Sequence, residues 1–419
     1  MLQNEFKTLY NIPSFVTEIF ETDKFTTQNI VLSAYRLIDI KAPLATLAGR
    51  IIQRGTKNFD SPYKLTRYLY SLNGAILKAN TIKLGDYQVF LIALKILNEG
   101  FFGQNLFEKS LNLLEEIFLS PLLDNGKFKE NYFIEEKNNL LSEIKTLIND
   151  RPRYALERFI KIMCKNERFG ISNLGTEEEV ERITNSELTH FYFESILREN
   201  RFLHFVGEFN DDNIDKAVNA FKLNKSDADI ENCSEIIIKH KPEVVIEKEK
   251  IQQTWLFLGY RYNIPSNNPL YGALLLFNAI FGKFSTSRLF AELREKMGLC
   301  YYISSSIPAN KNILIVSSAI IWKNYKKIVE TTEKIRLYIS KDIGDNELNI
   351  AKKLTISGLN SIEDDSLSLI SSRIEFLLRD PLINLSKIKE WVEDTNIEDV
   401  KRVASELWLD TIYALRGEL

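Results

Sequence analysis

The sequence predicts an α+β fold built from two similar domains, each an antiparallel sheet with helices packed on one face. Three observations support this prediction. Helix-like segments that end at a glycine lead directly into strand-like segments, this order occurs once in each half of the chain, and a polar stretch separates the halves. Helices laid on one face of an antiparallel sheet are a common α+β arrangement.

The polar stretch lies near the middle of the 419 residues. Between residues 221 and 250 the helical periodicity is lost, and polar runs such as KLNKSDADIENCSE surround a short strand-like insert, IIIKH. Such a composition is typical of a linker between domains. We therefore expect an N-terminal domain over 1–220, a linker region over 221–250 and a C-terminal domain over 251–419.

The two halves resemble each other around one glycine in each. KLTRYLYSLNGAIL, which begins at Lys64, aligns with RLFAELREKMGLCY, which begins at Arg288, so that Gly74 falls on Gly298. In both segments, leucines four residues apart precede the glycine, which is the pattern of an amphipathic helix with a left-handed stop. Strand pairs are expected next, GAILKANTI with DYQVFLIAL and YYISSSI with NILIVSSAI, followed by long amphipathic helices in YFIEEKNNLLSEIKTLI and YKKIVETTEKIRLYI.

Composition and charge limit the classes of function. The chain is 45% hydrophobic and 26% charged, with a formal net charge of −3, so it offers no electrostatic case for a nucleic-acid partner. It contains no apolar run of eighteen residues and begins without the basic-then-apolar layout of a secretory signal. We expect a soluble cytoplasmic protein with no membrane span. Three cysteines stand far apart and are expected to be buried free thiols: Cys164, Cys233 and Cys300.

The histidine content argues against a zinc site on a helix. The chain has three histidines, His190, His204 and His240, and no two of them are three or four residues apart. His190 is expected on a helix and His204 in a strand, both in structural roles. The sequence also has no GxSxG elbow, no P-loop and no GxGxxG that opens a helix. As a free-standing enzyme the chain is poorly equipped.

The segment SRLFAELREKMGLCYY, Ser287–Tyr302, contains an arginine with no local partner. Arg288, Glu292 and Lys296 are spaced four residues apart and can form ion pairs along one helix, whereas Arg294 has no carboxylate three or four residues away. A carboxylate from elsewhere in the fold, water or a functional role could each satisfy its guanidinium.

This segment closely resembles the signature of the C-terminal domain of the M16 metallopeptidases, the family of pitrilysin, insulinase and the mitochondrial processing peptidase. Other segments lie where the family would place them: RGTKNFDSPYKLTRYLYSLNGA, GTEEEVERITNSELTHFY, FVGEFN and DDSLSLISSRIEFLLRD. The resemblance covers nearly the whole chain. Its length fits the short bacterial form, in which two-domain subunits pair.

The resemblance also exposes a departure at the zinc motif. The family's HxxEH falls on TLAGR, where Thr46, Gly49 and Arg50 replace the two histidines and the catalytic glutamate. The family's third ligand matches Glu143. Because a lone carboxylate cannot hold zinc, we expect Glu143 to be a solvated or salt-bridged residue of a helix. Arg50 would place a positive charge where zinc should lie. We expect no metal in this chain.

The resemblance implies a role for Arg294 and Tyr301. In active members, the matching arginine and tyrosine project across a cleft towards the zinc site of an opposing N-terminal domain, where they bind substrate and the developing oxyanion. We therefore expect a non-zinc-binding subunit of a heterodimeric zinc peptidase, inactive alone, that works on peptides with an HxxEH-bearing M16 homologue. Zinc would be in that partner.

Two other functions stay open. The chain resembles inactive M16-like proteins in LYNIP and NGAILKANTIKLGDYQVF, so it could be a binding or scaffold protein in peptide maturation or in modification of a translation factor. Arg294 and Tyr301 would then be remnants. A core subunit of a respiratory complex is the third alternative, and it lacks support from any targeting segment.

Overall fold

The computed structural model describes residues 5–12, 15–101, 105–210, 212–213, 215–216, 241–265 and 267–418. Residue contacts divide the chain into two compact units, and neither is continuous in sequence. The first consists of Met1–Ile148, Glu167–Glu231 and Ser366–Ile374, and the second of Asn149–Asn166, Asn232–Asp365 and Glu375–Leu419. The ranges predicted from the sequence, 1–220, 221–250 and 251–419, stay predictions. The linker range lies outside the described residues as far as His240, as does its IIIKH insert.

The first unit is built on a six-stranded sheet with the order β1-β2-β8-β3-β5-β4. Its elements, in chain order, are β1 (Lys7–Ile12), β2 (Phe15–Glu21), β3 (Thr27–Leu37), α1 (Ala42–Ile51), α2 (Pro62–Ser71), β4 (Ile76–Leu84), β5 (Tyr87–Leu97), α3 (Leu106–Leu119), β6 (Leu123–Asp124), β7 (Lys127–Phe128), α4 (Glu130–Thr146), α6 (Glu177–Arg182), α7 (Asn185–Glu194) and β8 (Asn200–Gly207). Helix α5 (Arg151–Met163) falls in the second unit.

The second unit is built on a five-stranded sheet with the order β11-β12-β10-β13-β9. Besides α5, its elements are β9 (Glu243–Glu249), β10 (Thr254–Arg261), α8 (Leu270–Asn278), β11 (Cys300–Ser306), β12 (Ile313–Ile320), α9 (Tyr325–Ile339), α10 (Asp345–Ile362), α12 (Leu385–Asp394), α13 (Ile397–Glu406) and β13 (Trp408–Gly417). Helix α11 (Ser366–Leu377) has its first nine residues in the first unit. Strand β9 lies within the range predicted as a linker.

The two sheets share one topology. Reading the second sheet as β9-β13-β10-β12-β11 matches β2-β8-β3-β5-β4 of the first, strand for strand. In both, the predicted β4–β5 and β11–β12 pairs are antiparallel. The prediction of wholly antiparallel sheets needs one correction, because β2 pairs parallel with β8 and β9 pairs parallel with β13. In each unit, most of the other strands and helices lie in sequence between the two strands of the parallel pair, and so long a connection permits parallel pairing.

The aligned glycines end their helices in the same way. Gly74 has φ +78° and Gly298 has φ +61°, which is the left-handed conformation that glycine adopts without strain. One residue later, the amide of Ala75 donates to the carbonyl of Leu69, and the amide of Leu299 donates to the carbonyl of Leu293. This bond, which spans six residues, is typical of a Schellman stop. The predicted helix stops and the two-fold repeat are therefore confirmed.

Each sheet carries its main helical layer on one face, as predicted, and a further helix on the other. In the first unit, alternate residues of β5 are buried with α1 and α3: Phe90, Ile92, Leu94 and Ile96. On the opposite face, Ser366 at the start of α11 accepts a hydrogen bond from Asn29 of β3, 2.9 Å long. In the second unit, Phe159 of α5 stacks on Phe257 of β10 at 5.4 Å. Helices α5 and α11 thus take equivalent places in the repeat.

Candidate functional site

The positions that the resemblance matches to the zinc motif lie on helix α1 of the first unit. Pro43 stands in its first turn, where a missing amide is tolerated, and alanines and leucines fill the next two turns. Nine of the ten residues of α1 are buried, and Arg50 is the exception. The helix is a core element that brings Arg50 to the border of the core.

Arg50 is occupied by a carboxylate. Its Nη2 donates to Glu143 Oε2 of helix α4, and the side chains of the two residues are 26% and 34% exposed. One turn further along the chain, Arg54 donates from Nε to Glu136 Oε1 at 2.5 Å and from Nη2 to Glu135 Oε1 at 2.8 Å. Burial lowers the pKa of Arg54, but the bonds with Glu136 and Glu135 outweigh it and raise the pKa overall. Two arginines therefore connect this part of the chain to α4.

Thr46 and Gly49 serve packing and local hydrogen bonding. Thr46 is 7% exposed, and its hydroxyl donates to the carbonyl of Asn173 at 2.7 Å and lies 2.9 Å from the hydroxyl of Thr81. A Cβ at Gly49 would lie 3.5 Å from the Phe90 ring and 3.6 Å from the backbone of Asn80. An alanine would fit at contact distance, whereas a longer side chain would enter space filled by β4 and Phe90.

These residues do not fit a zinc ion. Zinc needs three or four nitrogen, sulfur or carboxylate ligands around one point, and α1 offers a hydroxyl, no side chain and a guanidinium. The guanidinium of Arg50 also forms an ion pair with Glu143, which is the one carboxylate ligand that the resemblance supplies. Within the described ranges, no group of three or more His, Cys, Asp and Glu residues could hold a metal. Glu143 is ion-paired, as expected of it from the sequence.

The Arg294 segment of the second unit is a helix with a wide turn. Phe290–Lys296 is π-helical, and the amide of Met297 donates to the carbonyl of Glu292, five residues earlier. Lys296 pairs with Glu292 at 3.0 Å, as predicted. The predicted Arg288–Glu292 pair is wrong, because Arg288 donates from Nε and Nη2 to both carboxylate oxygens of Glu347, at 2.7 and 2.5 Å. A two-point pair with a carboxylate outcompetes a one-point surface pair.

Arg294 itself is exposed and lies over an aromatic ring. Its Cζ is 4.7 Å from the centre of the Phe290 ring, four residues earlier on the same helix. No carboxylate of the described residues lies within ion-pair distance of it. The charge of Arg294 reaches Cys300, where burial raises the pKa of the thiol and Arg294 partly offsets the rise. Its guanidinium nitrogens are thus available to a ligand.

Tyr301 is the irregular residue of strand β11. The pairing register shifts between Cys300, opposite Ile320, and Tyr302, opposite Ala319, so Tyr301 has no residue opposite it. Such bulges re-aim one side chain out of the strand and are frequent next to functional sites. Tyr301 is 63% exposed and, within the described part of the chain, its hydroxyl has no hydrogen-bond partner. No hydrogen bond joins Tyr301 to Arg294.

A buried charge cluster on the first sheet was not predicted. Arg373 of α11 donates from Nε and Nη2 to both carboxylate oxygens of Glu18 on β2, each at 2.7 Å. Glu18 is 1% exposed, and His204 Nε2 on β8 lies 3.6 Å from its Oε2. Burial tends to raise the pKa of Glu18, but the two hydrogen bonds from Arg373 and the nearby His204 ring outweigh it and lower the pKa to about 2. Burial lowers the pKa of His204, so the ring is neutral at pH 7.

An equivalent cluster lies on the second sheet. Arg158 of α5 donates two hydrogen bonds to Glu247 on β9. Its Nε donates to Oε2 at 3.1 Å, and its Nη2 donates to Oε1. Tyr413 of β13 donates to the same carboxylate at 2.8 Å, so it takes the place that His204 has in the first unit. Arg158 lowers the pKa of Glu247, with burial opposing it. Each unit therefore ties its opposite-face helix to its parallel strand pair by a two-point arginine–carboxylate contact.

The remaining histidines and cysteines have structural places. His190 lies on helix α7 and His204 in strand β8, as predicted. Cys164 and Cys300 are buried free thiols, also as predicted, while Cys233 and His240 lie outside the described residues. No helix of the described residues has the length and apolar character needed to cross a membrane.

Comparisons with known proteins agree with this geometry. A family model described as "Peptidase M16 inactive domain" matches residues 182–355, which include Arg294 and Tyr301. A "Probable inactive metalloprotease" of Bacillus subtilis is 29% identical to this chain, and the match covers 99% of this chain and 98% of the relative. An "Uncharacterized zinc protease" of the same organism is 24% identical, with 71% of this chain and 73% of the relative covered. The crystal structure of a conserved protein from Enterococcus faecalis has a TM-score of 0.90, 22% identity and 99% coverage of both chains.

Proposed function

We propose, from the premise that this chain is an M16-like protein without the HxxEH zinc motif, that it is the non-zinc-binding subunit of a heterodimeric M16-type zinc peptidase. The partner is an HxxEH-bearing homologue that holds zinc and activates water. This chain contributes Arg294 and Tyr301 to the shared site. The complex acts on peptides, and we assign it to the bacterial cytoplasm.

The two side chains suit different parts of peptide hydrolysis. A tyrosine hydroxyl can donate a hydrogen bond to the oxyanion that forms when hydroxide attacks the scissile carbonyl. A guanidinium can donate two parallel hydrogen bonds to a carboxylate of the substrate, or donate to a single backbone carbonyl oxygen, and either contact fixes the position of the substrate. Tyr301 would therefore act mainly on turnover, and Arg294 on both binding and turnover.

One observation carries the proposal. Arg294 and Tyr301 are both exposed and free of hydrogen-bonding partners in the described structure, whereas the positions matched to the zinc motif are buried or ion-paired. Arg50 and Glu143 thus have a structural role in the chain. An exposed arginine seven residues before a bulged, exposed tyrosine has no such ion-pairing role in its own unit, so a ligand or a partner subunit accounts for the two side chains better.

The relatives in one organism support a division of labour. Bacillus subtilis has a relative named as a probable inactive metalloprotease and another named as a zinc protease, and both are similar to this chain. An organism with both forms has the two kinds of subunit that a shared site requires.

A binding or scaffold protein is the second candidate. The relative that spans nearly the whole chain is named as inactive, which favours a protein that holds a peptide without cutting it. Under this function, Arg294 would still bind a peptide carbonyl or carboxylate, but no partner zinc would be needed.

Mixing the two chains separates these candidates. Zinc content and hydrolysis of a fluorogenic peptide library are measured for this chain alone, for the HxxEH-bearing homologue from the same genome alone, and for the mixture. The shared site predicts one zinc per pair and activity that rises by orders of magnitude in the mixture. Equal activity with and without this chain, combined with peptide binding by this chain alone, would favour the binding protein.

A further inference from the structure

One aromatic ring holds the Arg294 side chain. The Cζ atom of Arg294 lies 4.7 Å from the centre of the Phe290 ring, inside the distance of about 6 Å at which a cation is attracted to a ring face. The guanidinium makes no ion pair and no hydrogen bond with the residues that the structure describes. The ring is therefore the contact that decides where this guanidinium lies.

Several other arginines that lie over rings have a second kind of contact. The Cζ atom of Arg288 is 5.2 Å from the centre of the Tyr338 ring, but Arg288 also donates to both carboxylate oxygens of Glu347. Three more arginines combine a ring with a carboxylate: Arg36, Arg54 and Arg379. At these places a carboxylate orients the guanidinium as well. Arg294 depends on its ring.

Phe290 is held in place by the helix to which it belongs. Leu289, the residue before it, and Leu293, one turn later, are both fully buried, so they anchor this helix in the core of the second unit. The amide of Leu299 donates to the carbonyl of Leu293 and closes the end of the helix. Phe290 itself is half-buried. A half-buried ring on an anchored helix can hold a cation in one place.

A ring orients a guanidinium without using its hydrogen-bond donors. A guanidinium stacks on a ring through its flat face, while its five N–H donors lie in its own plane. An arginine that is already oriented loses less conformational entropy when a substrate binds. Phe290 and Arg294 also stand within the π-helical segment, and such wide turns are frequent at functional sites.

Resting on the proposed function, we propose that Phe290 is a positioning residue of the shared site. Its ring holds Arg294 in the orientation that binds the peptide substrate. Phe290 acts through Arg294 and makes no contact with the reacting atoms.

A mutant cycle on the complex with the HxxEH-bearing homologue tests this role. The value of kcat/KM for peptide hydrolysis is measured for Phe290→Leu, Arg294→Ala and the double variant. Phe290→Leu should lower kcat/KM about tenfold. In the Arg294→Ala background the same change should have an effect of less than about twofold, because the ring then has no guanidinium to hold.

Two matched variants separate the ring contact from packing. Phe290→Tyr keeps an aromatic face and should stay within about threefold of the parent. Phe284→Leu is the control, because Phe284 is also half-buried and its ring centre lies 5.3 Å from Lys283 Nζ. It should leave kcat/KM unchanged.

The arginine side-chain resonances of this chain alone report the contact without a partner and independently of how Phe290→Leu folds. The Nε–H proton of Arg294, assigned by its loss in Arg294→Ala, should be shifted upfield by the ring current in the parent and in Phe290→Tyr. The shift should be absent in Phe290→Leu. A parent spectrum without the shift would overturn the proposal.

The kinetic outcomes distinguish the positioning role from the proposed function. If Arg294→Ala lowers kcat/KM while Phe290→Leu leaves it unchanged, or if Phe290→Leu lowers it equally in both backgrounds, the positioning role is wrong and the shared site stands. If Arg294→Ala itself leaves kcat/KM unchanged, the shared site fails and the positioning role fails with it.

Discussion

Arg50 on helix α1 and Glu143 on helix α4 form an ion pair at the positions that the resemblance matches to a zinc-binding histidine and a zinc-binding glutamate. In the first unit this pair joins two helices that a metal ion would otherwise connect. The pair is about one-third exposed, so water screens part of its attraction.

A double-mutant cycle measures what this pair contributes to stability. Arg50→Met, Glu143→Gln and the double variant should give a coupling free energy of about 1 kcal/mol in urea unfolding, since the side chains are partly buried and the contact is direct. Lys64 with Asp60 is a matched exposed pair, whose coupling should be close to the error of the measurement. If the Arg50–Glu143 coupling is equally small, the pair is a surface contact and α1 is held by packing alone.

Arg373→Met should destabilise the protein in a pH-dependent way. In the parent, the pKa of Glu18 is about 2 and its ordinary value is 4.5, so Glu18 contributes stability at neutral pH that is lost as the pH falls from about 4.5 to 2. Without Arg373, burial dominates and the pKa of Glu18 rises above its ordinary value. The variant should lose about 3–5 kcal/mol at pH 7, because a buried carboxylate is left unpaired, and less at pH 5.

The urea midpoints of parent and variant at pH 7 and pH 5 test this sign. Arg158→Met is the matched control on the second sheet, where the Glu247 side chain is 27% exposed and water can take over part of the lost contact. Its loss at pH 7 should be smaller than that of Arg373→Met. A loss from Arg373→Met that is the same at both pH values would show that Glu18 does not depend on Arg373 for its charge.

Gly298→Ala should cost about 1 kcal/mol, because an alanine is strained at φ +61°. No atom lies within 4 Å of the position that the new Cβ would take, so the cost is conformational and not steric. Gly74→Ala is the equivalent change in the first unit and should cost a similar amount. Chemical denaturation of both variants measures the effect, and a Gly298→Asn variant should recover part of the loss. Alanine variants as stable as the parent would contradict the left-handed stop.

The helix stops and the repeat could be predicted because their signals are local. Leucines four residues apart before Gly74 and Gly298 specify a helix, its buried face and its end within about a dozen residues. The contact of Arg294 with Phe290 was also within reach, since the ring stands four residues earlier on the same helix. The spacing alone does not distinguish this ring contact from a contact with water or with a distant carboxylate.

The charge clusters could not be predicted, since their partners are distant in sequence. Glu18 and Arg373 are 355 residues apart, and nothing near either residue marks the other as its partner. The bulge at Tyr301 is hidden for a different reason. YYISSSI reads as a regular strand, and the register shift depends on how β11 pairs with β12. The parallel β2–β8 and β9–β13 pairs likewise follow from the tertiary structure.

The central claim is that Arg294 and Tyr301 act in a site completed by another chain. The most direct test is steady-state peptide hydrolysis by the complex with the HxxEH-bearing homologue, using Arg294→Ala and Tyr301→Phe. The controls are Lys296→Ala and Tyr302→Phe, which change an exposed cation on the same helix and the adjacent tyrosine. The account predicts that Tyr301→Phe lowers kcat by about 10²–10³ and that Arg294→Ala lowers kcat/KM by a similar factor, with zinc content and assembly unchanged and both controls near the parent. Turnover that is the same in all four variants as in the parent complex would contradict it.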